Sequence, residues 1–128
     1  LYHYISMAEG NYREFLRGAN VKAKKYFYVM RPVLACRWIL EKGTPPPMRF
    51  TELMAAELPG ELHPEMEHLL ELKMNAPEIK EIPRIDVLNE YLDTSITEIK
   101  NLLLDMDDTK KMEWEILNQM FLKFISVN

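Results

Sequence analysis

From Val21 to Lys42 the sequence offers one helix with almost no face left for water, and that governs what can be built around it. Phe27, Met30, Leu34 and Trp38 recur at three- and four-residue steps as one apolar stripe, while Val29, Val33, Cys36 and Leu40 cover much of the rest. A helix that is apolar on most sides has to be surrounded by other elements. The same stretch breaks two habits of core helices. It carries Lys24, Lys25, Arg31 and Arg37, and it holds Pro32 in its interior. Departures from local rules concentrate at functional sites.

What surrounds it also reads as helix. Leu1, Tyr4, Ile5, Ala8, Tyr12, Phe15 and Leu16 repeat at helical spacing and leave Glu9, Arg13 and Arg17 outward, with a stop at Gly18 and Asn20. Gly43 should end the central helix, and Pro45-Pro46-Pro47 should continue as a stiff extended spacer. Thr51 is placed to cap a short helix through Glu57, broken at Pro59-Gly60. Pro64 suits the first turn of a helix with Met66, Leu69, Leu70 and Met74 inward. A long helix from near Pro83 should bury Ile85, Leu88, Leu92, Ile96, Ile99 and Leu103. Asp107 or Asp108 should cap a last helix with Met112, Ile116, Met120, Phe121 and Phe124 inward. No alternating strand pattern of useful length stands out. The expectation is all-α: a bundle of five to seven helices around a central buried helix at residues 21–42.

At 128 residues the chain suffices for one domain with a real core. It opens on Leu1 within a helical pattern, so we expect residues 1–128 to be part of a larger protein. The single cysteine rules out an internal disulfide and fits a reducing compartment. There is no apolar run of membrane-spanning length and no signal-peptide pattern, so a cytoplasmic location without membrane contact is expected. A net charge of -4 gives no global basic field, but Lys22 to Arg37 is locally dense in cations.

On a helical wheel Lys24, Tyr28, Arg31, Ala35 and Lys42 fall within roughly 60° of one another, with Lys25 and Pro32 just beside them. A lysine point charge, a tyrosine hydroxyl and an arginine fork suit a polyanion such as a triphosphate. Small Ala35 would let a ligand or another backbone come close. Lysines early in a helix oppose the macrodipole, so helix stability does not explain them. The alternative is that these cations bury their stems and pair with some of the 20 acidic residues. Arg37 lies near the opposite side and does not belong to the same site unless Pro32 bends the helix axis.

The segment Lys24-Lys25-Tyr26-Phe27-Tyr28, Arg31-Pro32, Leu34-Ala35-Cys36-Arg37-Trp38 and the triple proline together resemble a bacterial and phage group of nucleotidyltransferases. These belong to the DNA polymerase beta superfamily and are linked to RNA repair. Tyr4, Ser6-Met7-Ala8 and Asn11-Tyr12 are similar to the helix before that motif, and the likeness is specific over about residues 1–55. The resemblance implies the helical C-terminal domain of a two-domain enzyme, closing over a nucleotide and helping to select the acceptor. It makes Lys24, Lys25, Tyr28 and Arg31 the candidate contacts to a nucleoside triphosphate or to an acceptor, RNA among the candidates. The partner would be the protein's own N-terminal catalytic domain. Catalysis in that superfamily uses a Gly-Ser turn and strand carboxylates binding two divalent metals. This chain has no Gly-Ser pair, and Asp105-Met106-Asp107 has the carboxylate spacing without a strand. The chain is therefore expected to be inactive alone and to contribute no catalytic residue and no metal ligand. Magnesium belongs to the catalytic domain.

Other constellations are weaker. Glu65 and His68 form a lone Glu-x-x-His unit, where carboxylate-bridged di-iron sites need two, and they read as exposed helix residues. His3 and His63 lack metal-like spacing. Cys36, the methionines, Trp38 and Trp114 read as core. A helical ribonuclease of the kind found beside minimal nucleotidyltransferases needs an arginine followed four to six residues later by histidine, which does not occur here. A stand-alone helical interaction module, docking an acidic partner on its basic stripe, is the competing function.

Overall fold

The computed structural model describes residues 2–105, with side chains from Ile5 onward. The expected last helix, with its capping Asp107 or Asp108, and Trp114 lie outside the described residues. Among the described residues five α-helices and one small sheet make an all-α bundle: α1 (Tyr2–Phe15), β1 (Asn20–Lys22), α2 (Ala23–Lys42), α3 (Phe50–Glu57), α4 (His63–Asn75), β2 (Glu81–Pro83) and α5 (Asp86–Leu104). A single 3-10 turn, Gly60–Leu62, leads into α4.

Helix α2 is the axis. Tyr26, Val29, Met30, Val33, Leu34, Ala35, Cys36 and Ile39 are all buried, and α1, α3 and α5 pack around them. Pro32 sits inside α2 without ending it. It removes one ladder bond, a loss the surrounding packing offsets. Gly43 ends the helix in the left-handed conformation (φ 65°), where a side chain would be strained, and its N–H donates to Ile39 O at 2.8 Å.

Buried polar groups set the register of the helices. The Tyr26 hydroxyl donates to Asn89 Oδ1 at 2.6 Å and accepts from the Ile85 N–H at 2.8 Å, and Asn89 Nδ2 donates to Leu16 O. The end of α1, the start of α2 and the start of α5 therefore meet at one buried point. Three turns along α2, Arg37 reaches α5 again, donating to Ser95 Oγ at 2.7 Å and Glu98 Oε2 at 2.9 Å. Tyr26 and Arg37 fall within roughly 20° on the wheel, so one stripe of α2 carries both contacts. Lys100 on α5 pairs with Glu9 on α1 at 3.0 Å.

The sequence expectations need four adjustments. Val21 belongs to a strand rather than to the central helix: β1 pairs antiparallel with β2, Val21 opposite Ile82 and Lys22 opposite Glu81. Strands of three residues are too short to show alternation. The long helix starts at Asp86, three residues after Pro83, and α3 starts at Phe50 without a side-chain cap from Thr51. Met74, expected inward, is 79% exposed. It falls roughly 110° from the middle of the Met66–Leu69 face, whereas Leu72 lies closer to that face and is half-buried.

Candidate anion-binding cleft

A cleft of about 470 Å³ opens where the first turns of α2 face α4. Ala23, Lys24, Phe27 and Tyr28 line it from α2, and Lys22 from β1. Leu69, Leu72 and Lys73 close it from α4. Pro77, Ile79 and Lys80, in the connection from α4 to β2, form the third side.

The local fold explains the closure. Pro77 prevents α4 from running on past Asn75, and Ile79 N–H donates to Ala76 O at 3.0 Å as the chain turns. The Ala23 N–H donates to Lys80 O at 3.1 Å, just before the β1–β2 pairing begins. One of the donors left over at the start of α2 is thus used to hold the connection against the helix.

Charge is concentrated at this mouth. Lys22, Lys24, Lys73 and Lys80 all line it. Among the described residues none of the four lies within 4.0 Å of a carboxylate. The first turn of α2 contains no acidic residue, and the helix N-terminus adds its own positive end. Four lysines around a helix start, none within 4.0 Å of a carboxylate among the described residues, favour a multiply charged anion.

Aromatic rings back the cations. Lys25 Nζ lies over the Phe15 ring, 3.9 Å from its centroid, and over that of Tyr28 at 4.8 Å, so it braces Tyr28 through the ring face. Lys73 Nζ stands 5.3 Å from the Phe27 centroid, and Phe27 meets Phe50 edge-on at 5.7 Å. Tyr28 itself is 53% exposed.

The structure separates the residues that the wheel had put on one stripe. Lys24 and Tyr28 line the cleft, and Lys25 packs behind Tyr28. Arg31 turns toward α3, donating to Met48 O at 3.3 Å with its guanidinium 5.4 Å from the Phe50 ring, and burial pushes its pKa down. Ala35, one turn on, is fully buried rather than open to a ligand. Lys42 ends the stripe beside Glu41 and Glu57, 3.4 and 3.5 Å away, with the Trp38 ring below it at 4.3 Å. Lys73 and Lys80 carry no signal of their own, because spacing within one helix says nothing about cations brought in by another. Lys22 was visible as part of the dense basic run.

The remaining candidates sit elsewhere. Cys36 is buried, and desolvation pushes its thiol up to about 12. His68 is exposed, and His63 Nε2 donates to Leu58 O at 3.0 Å. Asp105 caps the C-terminus of α5, while Asp107 lies outside the described residues. Among the described residues no three His, Cys, Asp or Glu side chains converge to hold a metal ion, and no helix is long and apolar enough to cross a membrane.

Comparison with known proteins extends the likeness well past the first 55 residues. The profile of the RNA repair pathway DNA polymerase beta family, RlaP, matches residues 1–123. A Bacillus subtilis (strain 168) protein named Uncharacterized protein YcgL is 45% identical over 128 residues, covering 98% of this chain and 48% of that protein. The chain thus spans about half the length of that relative. No solved structure matches. On the match over nearly its whole length, the chain belongs to the RNA repair pathway DNA polymerase beta family.

Proposed function

We propose that this chain is the accessory helical part of a nucleotidyltransferase, presenting the lysine cleft to a nucleoside triphosphate or to the phosphates of an RNA acceptor. The observation that carries this reading is the set of four lysines around one cleft with no carboxylate partner among the described residues. In a chain of net charge -4 with 20 acidic residues, such a local excess needs a reason. An anionic ligand supplies one.

The chemistry itself would reside in a catalytic domain outside these residues, in the cytoplasm, with a divalent metal, magnesium by expectation, supplied there. The donor groups described here do not fit a metal, so no step of the reaction is assigned to them. What this chain would supply is charge and position. Lys24 and Lys73 stand on two different helices, so a ligand held by both would also fix α4 against α2. Lys25, braced between Phe15 and Tyr28, would tune the position of the Tyr28 ring rather than reach the ligand.

The test is Lys24→Ala with Lys73→Ala in the full-length protein, read as nucleoside-triphosphate affinity. Loss of two charge-assisted contacts should weaken binding at least tenfold, and the difference should shrink as salt is raised. Unchanged affinity in a correctly folded double variant would sink the assignment of this cleft.

A further inference from the structure

We infer that the cleft grips the ring of its nucleotide without reading its base. This rests on the nucleotide reading above and concerns what the cleft discriminates once a ligand is in it. Beside the lysines the lining is Phe27, Leu69, Leu72, Pro77 and Ile79, all apolar. The volume of about 470 Å³ lies within the range of small-molecule sites and admits more than a bare phosphate chain.

Reading a base requires donors and acceptors in a fixed order along its edge. Among the lining residues there is no Asn, Gln, Ser, Thr, Asp, Glu, His or Arg. The polar side chains are lysines, which donate in any direction, and Tyr28, whose hydroxyl both donates and accepts. Two of the nearby backbone N–H groups are already engaged, Ala23 with Lys80 O and Ile79 with Ala76 O. Apolar walls hold any ring by contact, because every base has the same two faces. Phosphate charge and ring burial are therefore recognised, and base identity is not. Any base preference of the whole enzyme must come from residues outside this cleft.

The experiment compares the full-length protein with a Leu72→Ala/Ile79→Ala variant, which thins the apolar wall without touching a charge. Affinities are measured for ATP, GTP, CTP, UTP and inorganic tripolyphosphate. Taking ratios against the parent protein removes any preference set by the catalytic domain. The loss should be roughly tenfold for all four nucleotides, equal among them within about threefold, and under about twofold for tripolyphosphate. Lys73→Ala, an exposed position, should weaken all five ligands alike. A loss confined to one nucleotide overturns the inference while leaving the cleft as the site. An equal loss for tripolyphosphate shows that the wall does not hold the ring, which also overturns it. If neither variant changes any affinity, the nucleotide reading falls and this inference with it. Should the wall variant fold poorly, Ile79→Ala alone, at a half-exposed position, carries the same comparison with a smaller expected loss.

Discussion

The Tyr26 hydroxyl and the Asn89 side chain, 63 positions apart, share a 2.6 Å hydrogen bond in the closed interior of the bundle. The bond is one of three at a buried junction, since the same hydroxyl accepts from Ile85 N–H and the same amide donates to Leu16 O. It sits one turn from Ala23 and so holds α2, the helix that opens the cleft, against both α1 and α5. Tyr26→Phe leaves the Asn89 carbonyl oxygen and the Ile85 N–H without that partner. The expected cost is about 1–3 kcal/mol of unfolding free energy, the penalty for stranding buried polar groups. Urea unfolding checks it, and a Tyr26→Phe/Asn89→Leu double variant should cost less than the sum of the two single changes. Strict additivity would show that the two groups do not act together.

Arg37 makes the opposite kind of contact from the cleft lysines. It reaches Ser95 Oγ, fully buried, and Glu98, 55% exposed, while its guanidinium lies 5.6 Å from the Tyr91 ring. Arg37→Lys keeps the charge but loses the fork, so about 1–3 kcal/mol of stability should go, with triphosphate affinity unchanged. Glu98→Gln should cost under about 1 kcal/mol, because that partner faces solvent. A larger effect from Glu98 than from Arg37 would reverse the assignment.

Cys36 offers a probe of the core. Its thiol is fully buried on α2 and burial raises its pKa to about 12, so thiolate is scarce at pH 8. A thiol reagent should react with the folded protein only through opening, orders of magnitude more slowly than with the unfolded chain. Rapid labelling under native conditions would show that α2 is not the axis of the bundle.

The helices were legible because burial imposes its period on them, and α2 most of all, since nearly every one of its faces is covered. Arg37 could be set apart from Lys24, Tyr28 and Arg31 by angle alone, and its contacts lie on α5. The cleft was half legible. Lys24 and Tyr28 follow from one helix, but Lys73 and Lys80 arrive by tertiary packing that no local spacing encodes. Arg31 and Ala35 show a related limit of the wheel. A wheel gives direction, and tertiary packing determines what stands in that direction: Arg31 meets the Met48 carbonyl, just before α3, and the Phe50 ring at its start.

Glu57 should give the fold a pH dependence opposite to that of a typical salt-bridged carboxylate. Burial raises its pKa first, and the neighbouring Glu41 raises it further by sharing a hydrogen bond, while Glu41 itself is lowered. The two carboxyls titrate as a coupled pair beside Lys42, and the one raised is Glu57. A carboxyl whose folded pKa exceeds its unfolded value binds more protons in the folded state. Stability contributed by that proton is present below the unfolded pKa and is lost as pH rises through the folded one. In Glu57→Gln the amide keeps a donor for Glu41 at every pH, mimicking the protonated form. Urea unfolding of both proteins between pH 4 and 7 should therefore show near-equal stability at the acid end. The variant should gain on the parent as pH rises through the upper carboxylate range. A constant difference across that range would mean that Glu57 is ionised throughout, held by Lys42 rather than by its proton.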